Sequence, residues 1–140
     1  MKIKRSAALK AGSVFDSWAI LAYVHNEAAA DKIEDLLVDS AGLKTAWISS
    51  INLGEVWYSL ARRKSRATAD QQLLTLSEIG LERLDVDWPM VLQAADYKSR
   101  HKISYADAFA AALAKRQNAE LVTGDREFRA LEGEINIHWL

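Results

Sequence analysis

The sequence predicts a three-layer α/β/α protein in which helices cover both faces of a mostly parallel central sheet of about five strands. Short apolar segments alternate with amphipathic helical stretches in the order β-α-α-β-α-α-β-α-α-β-α-β. Strands that are joined through helices instead of tight turns pair in parallel. The chain has 140 residues, which predicts one domain with a single core.

Composition excludes several classes of protein. The chain is 50% hydrophobic and 26% charged, which is typical of a folded domain and not of a disordered one. It has no cysteine, so disulfides, thiolate metal sites and a cysteine nucleophile are excluded. The net charge of -1 gives no general attraction to nucleic acid, and a nucleic-acid partner would need a local basic patch.

Residues 1–12 are predicted to be an N-terminal extension, and residues 13–140 the domain. Lys2, Lys4, Arg5 and Lys10 could form a basic arm, although a frayed, solvated terminus is the default interpretation. The extension lacks the apolar centre of a signal peptide, and no stretch has the length of a transmembrane helix. We therefore expect a soluble, cytoplasmic protein with no membrane partner.

The first predicted strand ends at Val14-Phe15 and is followed at once by Asp16-Ser17 and an apolar helix over 18–24. Asp is among the best helix N-caps. Asp16 is also a carboxylate at the carboxyl end of a strand, and the two interpretations are compatible. A second helix is predicted over about 27–40, with Gly42 as its end.

The second strand is predicted over 45–48, and a helix from Ser49-Ser50 to about Lys64 follows it. Its buried stripe is expected to consist of Leu53, Val56, Trp57 and Leu60. Glu55 lies off that stripe, early in the helix, and therefore belongs near the carboxyl end of the second strand. The alternatives are a capping box from Asn52 to Glu55 or a solvated glutamate.

A basic cluster follows this helix, formed by Arg62, Arg63, Lys64 and Arg66. The default interpretation is a solvated helix end that complements the helix dipole. Contact with phosphate groups is the functional alternative. The next helix is predicted over 68–79, with Leu73, Leu74, Leu76 and Ile79 facing inward and Gly80 as its stop.

The third strand is predicted over 81–86, and the following helix starts at Asp87-Trp88-Pro89 and reaches about His101. His101 is interpreted as a surface residue at a helix end. His25 and His138 also lack any motif around them. We therefore expect no histidine in the chemistry.

The segment from Ile103 to Phe128 contains the most informative pattern. A helix opens on Ser104 and carries Asp107 in its first turn, and a strand over 121–123 ends at Gly124-Asp125. A helix that precedes a parallel strand begins near the edge where that strand ends. Asp107 and Asp125 should therefore share that edge, provided that the helix before Ser104 does not run straight down the sheet. A short helix over 127–131 and a last strand over 135–139 complete the chain.

Four acids are thus expected at one edge of the sheet, where open α/β sheets build their sites: Asp16, Glu55, Asp107 and Asp125. Without a counterion these carboxylates would repel one another. Mg²⁺ or Mn²⁺ prefers carboxylate and water oxygens and can activate a water beside a phosphoryl group. Because the chain has no glycine-rich phosphate loop, metal-assisted hydrolysis of a phosphodiester is the best chemical fit.

Four segments resemble the acidic motifs of the PIN domain family: VFDSWAILAY, ISSINLGEVW, ISYADAFAAALAK and LVTGDREF, in this order. The match runs from about Val14 to the C-terminus, and the length is similar to that of VapC toxins of type II toxin-antitoxin pairs. The resemblance implies an endoribonuclease dependent on Mg²⁺ or Mn²⁺. It also implies a homodimer and a cognate antitoxin on a separate chain.

The resemblance assigns roles residue by residue. Asp16 and Asp107 would be the principal metal ligands, and Glu55 and Asp125 would complete the catalytic pocket and position water or a second ion. Ser17 and Thr123 match the small hydroxyl residues that support the site. Two positions depart from the pattern or match it loosely: Asn52 stands where the family usually has Thr, and Glu127 falls near a further acid of the last motif and is left out of the prediction.

Other classes of protein would require residues different from those in this chain. A catalytically silent PIN-like binding module would be expected to have lost one of the four acids, and none is missing. A haloacid dehalogenase-type domain needs a second Asp where this chain has Trp18. A receiver domain needs an acidic pair after its first strand and a Lys after a later one. A PIN nuclease of RNA processing remains an alternative to the toxin.

The aromatic side chains near the first helices suggest surfaces for partners. Trp18, Tyr23, Trp57 and Tyr58 could form a groove for an antitoxin helix or a dimer face, although the core is the default place for aromatic residues. The RNA target is not encoded in any recognisable motif.

Overall fold

The computed structural model describes residues 12–140. The predicted basic arm of the N-terminal extension lies outside these residues. From residue 12 onward, no helix combines the length and apolar character needed to cross a lipid bilayer.

The observed secondary structure follows the predicted order of elements. The strands are β1 (Ser13–Phe15), β2 (Ala46–Ser49), β3 (Glu82–Leu84), β4 (Glu120–Thr123) and β5 (Ile137–Trp139). The α-helices are α1 (Ser17–Val24), α2 (Ala30–Gly42), α3 (Ser50–Arg63), α4 (Arg66–Ile79), α5 (Trp88–Arg100) and α6 (Tyr105–Gln117), and a 3-10 helix spans Arg126–Leu131.

The five strands form one sheet in the order β3-β2-β1-β4-β5, and every neighbouring pair is parallel. All carboxyl ends therefore lie along one edge, called the rim below. The chain moves from β1 outward through β2 and β3, and then returns to the other side of β1 with β4. Such a reversal between β1 and β4 creates a crevice at the rim, where α/β sheets bind ligands.

Alternating side chains of the central strands divide the core into two halves. Val14 and Leu121 pack with α5, α6 and the 3-10 helix, whereas Phe15 and Val122 pack with α1 to α4. Successive strand residues point to opposite faces, so each half covers one face of the sheet. The predicted three-layer α/β/α arrangement is confirmed.

Some local predictions are confirmed and others are wrong. Gly80 ends α4 in the left-handed region with φ of 118°, where glycine avoids the cost that a Cβ imposes. Gly42 is the last residue of α2, as predicted, and the left-handed residue lies beyond it at Lys44, with φ of 60°. Leu74 was expected to face inward but is 54% exposed, because α4 buries Ala69 and Leu76 on its inner face.

Element boundaries differ from the predicted ones by one to three residues. The second helix begins at Ala30 instead of residue 27, and the third strand covers only Glu82–Leu84 of the predicted 81–86. Helix and strand ends are the positions that local sequence preference determines least.

The direction of α5 settles how α6 reaches the rim. Asp87, the N-cap of α5, accepts two hydrogen bonds from Arg116 in the last turn of α6, at 3.0 and 2.6 Å. The start of α5 therefore lies beside the end of α6, and the two packed helices are antiparallel. As a result α6 begins at the rim, as the prediction for Asp107 required.

Candidate active site

Asp16 is held by hydrogen bonds at the head of α1, directly after β1. Its Oδ1 accepts a hydrogen bond from the backbone N–H of Ala19 at 2.8 Å, and its Oδ2 accepts one from the hydroxyl of Thr123 at 2.5 Å. The residue is fully buried. Asp16 is thus both the N-cap of α1 and a carboxylate in the crevice between β1 and β4.

Burial raises the pKa of Asp16 to about 7. The hydrogen bonds from Thr123 and Ala19 lower the pKa, but they do not offset the desolvation of the charged form. The negative charges of Asp125 and Glu55 raise it further. Ionised Asp16 therefore needs a positive partner.

Ser17 and Glu55 connect the first turns of α1 and α3. The Ser17 hydroxyl donates a hydrogen bond of 2.7 Å to Glu55 Oε1, and both side chains are half-buried. Glu55 points away from the buried stripe of α3, whose fully buried members are Val56 and Leu60. The expected position of Glu55 at the rim is therefore observed.

Asn52 has a role that the sequence did not reveal. Ser49 is the N-cap of α3, and its hydroxyl donates to Asn52 Oδ1 at 2.5 Å. The buried Asn52 amide then donates to the carbonyl of Ala106 at 3.1 Å and to Glu55 Oε1 at 3.4 Å. The capping box from Asn52 to Glu55 is wrong, because the N-cap of α3 is Ser49. Asn52 instead fastens the start of α3 to the start of α6.

Asp107 lies in the first turn of α6, and its backbone N–H donates a hydrogen bond of 3.1 Å to the hydroxyl of the N-cap Ser104. Its side chain is buried with 8% exposure. Burial is the main cause that raises the pKa of Asp107 to about 8, followed by the charges of Asp125 and Asp16 and a hydrogen bond with Glu127.

The turn after β4 brings two further acids beside Asp107. Asp125 is the N-cap of the 3-10 helix; it accepts a hydrogen bond from the N–H of Glu127 at 3.0 Å, and its own N–H donates to Thr123 Oγ1 at 3.0 Å. Carboxylate oxygens of Asp107, Asp125 and Glu127 all lie within 4.8 Å of one another. Glu127 is exposed and is not among the predicted site residues. Its position two residues after Asp125 is the sequence feature that indicates a further acid at this turn.

Trp18 and Gly124 pack together beside these acids. A Cβ built on Gly124 would lie 2.3 Å from Cη2 of the Trp18 ring, much closer than two carbon atoms can approach. Only a residue without a side chain fits between β4 and Asp125 while the ring stays in place. The Trp18 ring therefore fixes the path of the turn that carries Asp125.

The site residues predicted from the sequence are all at the rim, but they are not equivalent. Asp107, Asp125 and Glu127 form the tight carboxylate group, whereas Asp16 lies outside this group and uses both oxygens within the protein. Within residues 12–140, no ion pair involves any of these acids or Glu55. Oxygen donors without a cation of their own are the donor set that Mg²⁺ and Mn²⁺ prefer.

Known proteins provide a comparison with this arrangement. The PIN domain family model matches residues 13–134. A sequence search of curated proteins found no match.

Solved structures with the same fold include a toxin-antitoxin complex from Klebsiella pneumoniae, with a TM-score of 0.70 and 16% identity, which covers 91% of this chain and 96% of its own. The structure of VapC20 from Mycobacterium tuberculosis, described as a sarcin-ricin loop cleaving toxin, has a TM-score of 0.70 and 19% identity and covers 89% of this chain and 96% of its own. VapBC2 from Rickettsia felis, bound to a promoter DNA fragment, has a TM-score of 0.70 and 20% identity and covers 91% of this chain and 98% of its own. FitAcB from Neisseria gonorrhoeae has a TM-score of 0.67 and 19% identity and covers 89% of this chain and 95% of its own. At these identities the similarity shows a shared fold.

Proposed function

The chain belongs to the PIN domain family, and we propose that it is a divalent-metal-dependent endoribonuclease that acts as the toxin of a type II toxin-antitoxin pair. The observation that carries this proposal is the group of rim carboxylates that has no cation of its own among the described residues. Such a group binds a hard cation in preference to remaining protonated.

Asp107, Asp125 and Glu127 are proposed to hold Mg²⁺ or Mn²⁺, because their oxygens already converge. Asp16 is proposed as a further ligand from the resemblance to the family. A hydrogen bond from Thr123, which lies 107 residues away in the sequence, holds its carboxylate in place. When bound, the metal would neutralise charge on the scissile phosphodiester and lower the pKa of a coordinated water.

The other residues of the site act by orientation. Thr123 bridges the site, since its hydroxyl donates to Asp16 and accepts from the N–H of Asp125. Ser17 and Asn52 hold Glu55 Oε1 in one direction. We propose that Glu55, half-buried and fixed in this way, accepts a hydrogen bond from the attacking water and aligns it with the phosphorus atom.

The proposed partners follow from the same proteins. One structure with the same fold is described as a toxin-antitoxin complex from Klebsiella pneumoniae. We propose a cognate antitoxin on a separate chain, a homodimer and action in the cytoplasm on an RNA substrate. The exposed aromatic ring of Trp18 is available for such contacts.

Cleavage of a mixed pool of cellular RNA tests the proposal. The purified protein is incubated with Mg²⁺, with Mn²⁺ or with EDTA, beside an Asp107→Asn variant and an Asp96→Asn control. Asp96 is an exposed carboxylate that pairs with Arg100 at 2.9 Å, so its substitution removes the same charge without touching the site.

We expect cleavage that requires metal, survives Asp96→Asn and disappears with Asp107→Asn. Cleavage of equal rate in EDTA would contradict the metal dependence. If wild-type protein cleaves no RNA under any condition while it still binds RNA, a catalytically silent PIN module replaces the nuclease. Cleavage restricted to one precursor RNA at a defined site would favour a role in RNA processing.

A further inference from the structure

The outward-facing side of α3 leads from the acid site to the basic cluster. Glu55, Tyr58 and Arg62 are spaced i, i+3 and i+7 and therefore lie along one face of the helix. This face is called the α3 ridge. At 1.5 Å per residue, Arg62 lies about 10 Å along the helix axis from Glu55.

The side chains of the α3 ridge make contact with one another. The guanidinium carbon of Arg62 lies 5.1 Å from the centre of the Tyr58 ring, within the range of a cation–π interaction. Tyr58 is 46% exposed. The ridge therefore presents an aromatic surface and then a positive charge, in that order, to anything that extends outward from Glu55.

The basic cluster continues the positive charge beyond the ridge. Arg62, Arg63 and Lys64 are exposed, and within residues 12–140 none of them forms a salt bridge. Arg66, the fourth member, instead covers the ring of Trp57 at 5.1 Å. Arg62 lies over the Tyr58 ring at the same distance, so Arg63 and Lys64 are the members of the cluster with neither a salt bridge nor a ring contact among residues 12–140.

The same cations lie beside the end of α1. The positive charges of Arg63 and Lys64 add to burial in lowering the pKa of His25, the C-cap of α1. α1 packs against α3, and the hydrogen bond from Ser17 to Glu55 joins their first turns. Both helices therefore begin at the acid site and end at the basic cluster.

Charge explains why a nuclease site of this kind needs such a surface. The rim acids repel the phosphates of RNA, and the net charge of -1 gives no general attraction. An RNA strand therefore needs cations placed outside the acid pocket but within reach of it. Stacking on an exposed ring and ion pairs to phosphates are the two contacts that single strands use.

We propose that the α3 ridge and the basic cluster form a track for single-stranded RNA, in which a base stacks on Tyr58 and phosphates pair with Arg62, Arg63 and Lys64. The proposal deepens the proposed nuclease function and rests on it. The track sets where the strand leaves the site and makes the affinity for RNA dependent on salt.

The test measures binding separately from cleavage. Asp107→Asn protein serves as the parent, and a fluorescein-labelled single-stranded RNA of about 12 nucleotides, within the site size of single-strand-binding surfaces, serves as the probe. Anisotropy is recorded over a range of salt concentrations with Mg²⁺. The track variant adds Arg62→Gln and Arg63→Gln. The control variant adds Lys32→Gln and Lys44→Asn, which removes two exposed positive charges elsewhere.

We expect the track variant to bind RNA about tenfold more weakly than the parent at low salt, with a log K against log salt slope reduced by about 1.4. Tyr58→Ala should weaken binding about fivefold or more, and Tyr58→Phe should not. The control variant should bind as the parent does. Circular dichroism melts of all variants verify folding, and equal melting temperatures are expected because the substituted side chains are exposed.

Two results would overturn the track. One is equal affinity and equal salt slope for the track variant and the parent, including the case in which neither binds. The other is unchanged RNA binding combined with lost capture of an acidic protein partner, which would make this surface a protein-docking site. Metal-dependent cleavage by wild-type protein in either case would leave the nuclease proposal standing, so the two failures are distinguishable.

Discussion

Two groups of charged residues in this molecule shift the pKa of their carboxylates in opposite directions. Glu134 accepts hydrogen bonds from Arg100 at 2.7 and 3.0 Å and lies 2.7 Å from His101 Nε2, and these partners, Arg100 first, hold its pKa at about 2. At the rim, burial and neighbouring acids raise the pKa of Asp16 to about 7 and that of Asp107 to about 8.

The difference separates a structural charge network from a binding site. The carboxylate of Glu134 is neutralised by the protein itself and fastens the end of α5 to the segment before β5. The rim acids have no such partner among residues 12–140, so their negative charge is not compensated within the described part of the protein. A bound cation would compensate this charge. The following predictions test this contrast, from the largest expected effect to the smallest.

Asp16→Asn should have the largest effect. Asn remains a good N-cap for α1, but it removes a buried charge and a proposed metal ligand. We expect RNA cleavage to fall about a thousandfold or more. In EDTA at about pH 8, above the raised pKa of Asp16, the melting temperature should rise, because an unpaired buried carboxylate has been removed.

The matched substitution Asp96→Asn, in the neutralised network, should leave cleavage unchanged and should not raise the melting temperature. A loss of stability in Asp16→Asn that matches or exceeds that of Asp96→Asn would contradict the contrast, since Asp16 would then contribute as a structural anchor only.

The stability of the metal-free protein should fall as pH rises. Salt-bridged carboxylates, whose pKa values are lowered, have the opposite effect on stability. In the unfolded chain Asp16 and Asp107 ionise near pH 3.8, whereas in the folded protein their pKa values are about 7 and about 8. The folded state therefore binds more protons between these limits, and its stability falls as pH rises from about 4 to about 8. Thermal melts in EDTA across this range measure the effect.

Saturating Mg²⁺ should flatten this pH dependence, because a bound cation stabilises the ionised carboxylates. Asp107→Asn should weaken it without metal and leave the part of the pH dependence that Asp16 contributes. Melting temperatures that rise steadily with pH in EDTA would show that the raised pKa values do not describe the rim acids.

Thr123→Val should have an intermediate effect, since it removes the hydroxyl that joins Asp16 to the N–H of Asp125. We expect a decrease in cleavage rate of about tenfold. The hydrogen bond from Thr123 lowers the pKa of Asp16, so the pH profile of cleavage should also shift upward. Thr123→Ser retains the hydroxyl and should behave as wild type. An unshifted profile in Thr123→Val would assign Thr123 to packing alone.

Glu127→Gln should have a smaller effect, because Glu127 is exposed and shares the ion with Asp107 and Asp125. The concentration of metal needed for half-maximal cleavage should rise about tenfold, while the rate at saturating metal should change little. Titration of metal against cleavage rate measures this. An unchanged titration would remove Glu127 from the site and restore the four acids predicted from the sequence.

Glu134→Gln should have the smallest effect on activity. Cleavage and its metal requirement should equal those of wild type, because Glu134 belongs to the neutralised network. The melting temperature should fall slightly at neutral pH. The pKa of Glu134 is lowered, so its contribution is present above about pH 4.5 and is lost as pH falls toward 2, where mutant and wild type should converge. Any change in metal requirement would contradict the separation of the two groups.

The amino-acid sequence by itself determined the alternation of strands and helices, the parallel sheet and the presence of four acids at the rim. These features depend on local preferences: Asp16 and Ser104 are good N-caps, Gly80 tolerates a left-handed φ, and apolar residues repeat with the period of each element. Because all strand ends of a parallel sheet share one edge, the positions of Asp16, Glu55 and Asp125 followed from the order of elements, whereas that of Asp107 also required the direction of α5.

Only the tertiary structure decided how those acids are held and which of them converge. Asn52 reaches the carbonyl of Ala106 across 54 residues of sequence, and Thr123 reaches Asp16 across 107. Glu127 joins Asp107 because the 3-10 helix turns back beside α6. Such contacts depend on the packing of several elements at once, whereas caps and periodicity depend on a few neighbouring residues, and only the latter can be read along a single chain.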